Sequence, residues 1–137
     1  MGIKKVTSSS YRKSTKGRSK NRQPEYELQK AVCNYLTIKY NKVFYNGSAG
    51  GMWTALSVAM RMKKSGYQAG FPDLFIYEPN KKYHGLAIEL KCKGNYASPK
   101  QKEVLKKLND KGYFAKVCTG LDDAIDTIDN YLNNTLE

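Results

Sequence analysis

Residues 70–93, GFPDLFIYEPNKKYHGLAIELKCK, decide the fold. Asp73-Leu74-Phe75-Ile76-Tyr77-Glu78 and His84-Gly85-Leu86-Ala87-Ile88-Glu89-Leu90-Lys91 read as two β-strands. Pro79-Asn80-Lys81-Lys82 between them is turn chemistry. The pattern predicts a hairpin. If it is symmetric about Lys81, Glu78 faces His84 and Asp73 faces Glu89. Directly opposed residues of an antiparallel pair lie ~5 Å apart at Cβ. Two carboxylates that close repel unless positive charge sits between them, and a divalent metal is the candidate. The two-residue period of a strand puts Glu89 and Lys91 on one face and Ile88 and Leu90 on the other. Asp73, Glu89 and Lys91 therefore converge on one side of the sheet, while Ile88 and Leu90 point to the core.

Pro72-Asp73 followed by Glu89-Leu90-Lys91 resembles the motif of the PD-(D/E)XK nuclease superfamily. Gly70-Phe71-Pro72-Asp73, a G-x-P-D, resembles its VRR-NUC branch, small nucleases of phage and repair systems. The resemblance runs from about Glu25 to Val117. An E-x-K alone carries little, because alternating charge is common on solvent-facing strands. Order, spacing and flanks together carry it. The resemblance implies an α/β, restriction-endonuclease-like core, a central mixed β-sheet flanked by helices. It implies Mg²⁺ or Mn²⁺ held by Asp73, Glu89 and the carbonyl of Leu90, with Lys91 as the catalytic lysine.

The chain carries 24 basic and 12 acidic residues, a net charge of +12. Such a balance favours a polyanionic partner, nucleic acid first and an anionic membrane surface second. No apolar run approaches the ~20 residues of a membrane span, and no secretory apolar segment is present. Cys33, Cys92 and Cys118 are isolated and form no CxxC, and the single histidine argues against a Cys/His zinc site. Free thiols in a reducing cytoplasm, of a bacterium or a phage-infected cell, are the expectation.

Residues 1–22 hold eight Lys or Arg and no acidic residue. Composition predicts an arm that is disordered by itself, either a solubilising tail or a phosphate-neutralising extension. The nuclease-like domain is then 23–137. Pro24 suits the first turn of a helix, and Leu28, Val32, Tyr35 and Leu36 give its apolar stripe to about Lys39. Glu25 could merely complement that helix's N-terminal dipole. The resemblance implies more: an E-x-x-x-Q, Glu25 and Gln29, lying near the metal, with Glu27 as the competing acid.

Lys42–Tyr45 predicts a short strand, and 46–51 a glycine-rich loop without the ending of a Walker motif. Met52, Ala55, Leu56, Ala59 and Met60 recur at helical spacing and are expected in the core. Arg61, Lys63 and Lys64 complement this helix's C-terminal dipole, hold DNA phosphates, or do both. After the hairpin, Ser98-Pro99-Lys100-Gln101 is a capping box with proline at the first helical position. That explains Gln101, and the resemblance adds a place beside the catalytic lysine. Lys93 and Lys100 join the candidate DNA contacts. Gly112 stops the helix, 113–118 is a strand, and a last helix starts near Gly120. Leu121, Ile125, Ile128 and Leu132 are expected inward on it, and Asp122, Asp123, Asp126 and Asp129 outward. His84 is expected at a strand edge. Trp53, Tyr67 and Tyr96 are candidates for base stacking, with ordinary packing as the alternative.

These readings converge on a metal-dependent DNA endonuclease selective for junctions, flaps or other branched DNA, in phage replication or repair. The resemblance to small Holliday-junction resolvases implies a homodimer. The competing reading is a non-catalytic nucleic-acid-binding module on the same fold.

Overall fold

The computed structural model describes residues 9–48 and 54–135, with side chains from Pro24 onward. Helix α1 is Ser9–Lys39, strand β1 Tyr45–Gly47, helix α2 Leu56–Lys64, and strand β2 Leu74–Ile76. Strand β3 is Leu86–Lys91, helix α3 Pro99–Asp110, strand β4 Phe114–Thr119, and helix α4 Gly120–Leu132. The sheet order is β1-β2-β3-β4. The first three strands pair antiparallel, and β4 joins β3 in parallel through the α3 crossover. The chain is thus the α/β domain with a mixed, helix-flanked sheet that the sequence predicts, element for element.

The β2–β3 pairing is Leu74↔Ile88, Phe75↔Ala87 and Ile76↔Leu86, the register symmetric about Lys81. One step further along each strand lie Asp73 and Glu89. Asn80 makes the turn, since its Oδ1 accepts the N–H groups of Lys82 and Tyr83. The ladder is shorter than the two predicted strands at its turn end.

Residue parity sorts the sheet into two faces. Leu74, Ile76, Leu86, Ile88 and Leu90 pack with Val32 and Leu36 of α1 and Ala124, Ile128 and Tyr131 of α4 in the main core. Ala87 and Ala115 face the other way, against Leu105 of α3. This second face carries Asp73, Glu89 and Lys91. Asp129 ties α1 to α4, because Tyr35 and Tyr40 both donate to its Oδ1 at 2.6 and 2.7 Å and Lys39 reaches Oδ2 at 3.2 Å. Burial pushes the Asp129 carboxyl up, but these donors outweigh it and hold it below the ordinary carboxylate range.

Several expectations are corrected. Pro24 does not open the first helix but lies inside it. Helix α1 begins at Ser9 and so takes in residues 9–22, six of them Lys or Arg. Interior proline removes an N–H and crowds the preceding turn, a cost of ~3 kcal/mol, so sequence reasoning favours a boundary there. Glu25 is consequently mid-helix, and its dipole reading falls away. The early strand starts at Tyr45 and takes in Asn46 and Gly47.

Helix α2 buries none of its residues, and Leu56 is 78% exposed, so its apolar residues do not enter the core. Helical spacing reveals a stripe without saying whether anything covers it. On α4, Leu121 is exposed while Thr127 and Tyr131 are buried, and Asp129 faces α1 instead of solvent. Trp53, Met52 and residues 49–51 lie outside the described residues.

Candidate active site

Glu89 is the one buried acidic residue among those described, at 2% exposure. Its strand is central and covered on both faces, so its carboxylate enters a desolvated layer beneath α3. Gln101 donates to its Oε1 at 2.8 Å, and Lys91 Nζ lies 3.4 Å from the same oxygen. Among the described residues no donor reaches Oε2, which is fully buried. Burial and the facing Asp73 carboxylate push the Glu89 carboxyl up to about 8.

Asp73 sits where the chain enters β2. Its Oδ2 accepts the Leu90 N–H at 2.8 Å, which fixes the carboxylate against β3 beside Glu89. Its backbone carbonyl accepts from Ser48 N–H at 2.7 Å and from Gln29 Nε2 at 3.2 Å. Burial raises its pKa as well, against the lowering effect of the Leu90 hydrogen bond and the Lys91 charge.

Gly70 explains the first position of G-x-P-D. Its φ is +89°, and a Cβ there would lie 2.8 Å from Lys100 Cγ and 3.1 Å from the Lys100 carbonyl oxygen. Only glycine lets this loop approach the first turn of α3 in that conformation. The contact seats α3 so that Gln101 reaches Glu89.

From α1, Glu25 Oε1 lies 3.9 Å from Lys91 Nζ and 3.4 Å from Asn95 Nδ2. Glu27, the competing acid, is exposed, and no bond to the site links it. Gln29, one turn on from Glu25, reaches Asp73, so the E-x-x-x-Q spacing delivers both side chains to one place. Asn95 escaped the sequence reading. The loop of Lys93 and Gly94 was visible, but nothing marked which of its side chains turns towards α1.

The structure therefore brings together Asp73, Glu89, Lys91, Gln101 and Glu25. It does not bring the basic candidates into this cluster. Arg61, Lys63, Lys64, Lys93 and Lys100 are all exposed, and Lys100 makes a surface pair with Glu103 at 3.6 Å. His84 is exposed and packs its ring on Gly112 and against Tyr113. Tyr96 is 85% exposed and Tyr67 half-buried.

Among the described residues, no group of three or more His, Cys, Asp or Glu is arranged as a metal site. The donor set is smaller and still suits a hard cation. Two carboxylates face each other in a buried layer, and one buried oxygen meets no donor among the described residues. An oxygen-seeking divalent ion with water completing its shell fits that demand.

A mixed four-stranded sheet flanked by helices, with a buried carboxylate pair and a lysine on one face, defines an α/β domain of nuclease type. The VRR-NUC domain model matches residues 11–122. A solved VRR_NUC domain protein is 36% identical, with a TM-score of 0.70 over 80% of this chain and 88% of that one. No curated protein matches. The chain belongs to the VRR-NUC family, a nuclease-type family that implies DNA binding. Among the described residues no helix is long and apolar enough to cross a membrane.

Proposed function

We propose that this protein is a Mg²⁺- or Mn²⁺-dependent DNA endonuclease, with residues 23–137 as its nuclease domain. The observation that carries the proposal is Glu89. It is a buried carboxylate, set against Asp73, with one oxygen that no donor among the described residues reaches. A module that only bound DNA would gain nothing from this arrangement, which costs stability and repels phosphate.

Asp73, Glu89 and the carbonyl of Leu90 would hold the cation, with Glu25 reaching it through water. The bound ion supplies an acidified water and charge stabilisation at phosphorus. Lys91, at 11% exposure, is a point charge held between Glu89 and Glu25. It orients the attacking water or stabilises the equatorial phosphate oxygens as charge builds. Gln101 fixes the Glu89 carboxylate. Arg61, Lys63, Lys64, Lys93 and Lys100, with the basic residues of 1–22, hold the phosphates on either side. The resemblance to junction resolvases extends the proposal to branched DNA, to a homodimer and to work inside the cell in replication or repair.

The test is a cleavage assay on labelled duplex, single strand, flap and four-way junction with Mg²⁺, Mn²⁺ or EDTA. Cutting that needs metal and disappears in Asp73→Ala and Lys91→Ala is the expected result. Binding without cutting on every substrate and with either metal would leave only a DNA-binding module.

A further inference from the structure

Helix α3 packs mainly over β3 and β4, and among the described residues the β1–β2 end of the same face leaves two aromatic rings exposed. Those two rings continue a row in which Phe75 and Tyr113 are half-buried, Phe75 against the Ala87, Leu105 and Ala115 cluster. Phe44 and Tyr77 lie 5.4 Å apart between centroids, Tyr77 and Phe75 4.4 Å, and Phe75 and Tyr113 5.5 Å. Phe44 is 70% exposed and Tyr77 48%. The row is built, not incidental: a Cβ on Gly85 would lie 3.1 Å from the Phe75 ring, so glycine leaves the ring its place on the sheet.

The row lies on the face of the carboxylates. Asp73, Phe75 and Tyr77 are alternate residues of one extended segment, so they project to one side. At strand spacing, Phe75 is ~7 Å and Tyr77 ~13 Å from Asp73 along the chain. Exposed lysines stand near both ends in sequence, Lys42 before Phe44 and Lys111 before Tyr113. Glu78, next to Tyr77 in the chain, accepts the Phe44 N–H on its Oε1 at 3.0 Å.

We propose that this aromatic row is a stacking platform for unpaired bases of a DNA strand leading away from the cut site. The proposal rests on the nuclease reading and narrows its substrate to DNA with a single-stranded segment beside the scissile phosphate. Flat exposed rings give bases π-faces to stack on without sequence preference, and flanking cations hold the backbone. Paired bases present no such faces, so duplex DNA gains nothing here.

The test is anisotropy binding in EDTA, with a labelled blunt duplex and the same duplex carrying a single-stranded tail. Phe44→Ala, Tyr77→Ala and Tyr77→Trp run beside the wild type, with melting curves to confirm folding. The wild type is expected to prefer the tailed DNA by about tenfold. Each alanine should remove most of that preference and leave blunt-duplex binding within about twofold, whereas Tyr77→Trp, which keeps a ring, should retain it. Alanine variants that keep the preference, or lose affinity for both DNAs equally, would overturn the platform. So would wild-type protein that binds both DNAs alike. Sedimentation of the same variants addresses a different occupant: lost self-association with intact tail binding would assign the face to a second copy. Failure of the wild type to bind or cut any DNA would instead remove the nuclease reading itself.

Discussion

Gln101 donates from Nε2 to Glu89 Oε1 at 2.8 Å while its own Oε1 accepts the Ser98 N–H at 2.8 Å. One side chain thus closes the capping box of α3 and fixes the buried carboxylate of the site. The two tasks separate by mutation. Ser98→Ala removes the hydroxyl that accepts Gln101 N–H, at a cost of ~1 kcal/mol, and leaves the Glu89 contact in place. It should lower the melting temperature by a few degrees and keep cleavage near wild type. Gln101→Ala should lose similar stability and about tenfold or more in kcat. Equal activity in the two variants would reduce Gln101 to a helix cap.

Glu89 gives the metal-free protein an unusual pH dependence. Its folded pKa is about 8, above the ordinary 4.5, so between those values the folded state holds a proton the unfolded state has lost. Stability must then fall as pH rises from about 5 to 8, and level off beyond. The full shift corresponds to about 5 kcal/mol at 1.36 kcal/mol per unit, on the order of 15 °C in melting temperature. Asp73, also raised, adds in the same direction. Melting curves in EDTA check the slope. Glu89→Gln should flatten it, and Mn²⁺ or Mg²⁺ should stabilise the wild type more at pH 8 than at pH 6, since binding displaces the proton.

Glu25 and Glu27 can be told apart. Glu25 meets Lys91 and Asn95, whereas Glu27 faces solvent. Glu25→Gln should cost about 10- to 100-fold in activity through misplacement of Lys91 or the cation's waters. Glu27→Gln should stay within about twofold. Similar losses in both would place the helix acid's effect in overall charge.

The part of the fold legible in sequence is the part where local pattern and burial agree. Hairpin register followed from Lys81 symmetry because the two strands are short and their apolar alternation admits no slip. The Ser98–Gln101 cap was legible because its chemistry is complete within four residues. Elsewhere the deciding contact is distant. Pro24 reads as a helix start by local rules, and only the whole of α1 overrides them. Leu56 and Met60 form a good stripe, but whether a partner covers it is settled by tertiary packing. Asp129 looks like an outward charge until Tyr35 and Tyr40, ~90 residues earlier, supply donors. The carboxylate pair and Lys91 were legible, while the orphaned oxygen of Glu89 required the packing of α3.

Asp129 should therefore matter for stability and not for chemistry. Asp129→Ala strands two tyrosine hydroxyls and Lys39 at the α1–α4 contact. The expected loss is about 2–3 kcal/mol, with cleavage unchanged below the melting transition. A denaturant titration gives the first, and an assay well below the midpoint the second. A cleavage loss in fully folded protein would mean that the α1–α4 contact positions Glu25 and Gln29.

Gly70 couples the loop of the G-x-P-D motif to the site, and its replacement should show both strain and displacement. At φ +89° an alanine pays ~1–2 kcal/mol for the left-handed backbone. Its methyl also meets Lys100 at the start of α3, where the carbonyl oxygen at 3.1 Å cannot swing aside as a side chain can. Relief requires α3 to move, and Gln101 moves with it. Gly66 is the control, since its φ is +100° and a Cβ there meets nothing within 4 Å. Gly66→Ala should cost about 1–2 kcal/mol and keep cleavage per folded molecule. Gly70→Ala should cost more and lower kcat about tenfold even where the protein is fully folded. If both variants lose only stability, the approach of the loop to α3 shapes the fold and not the chemistry at Glu89.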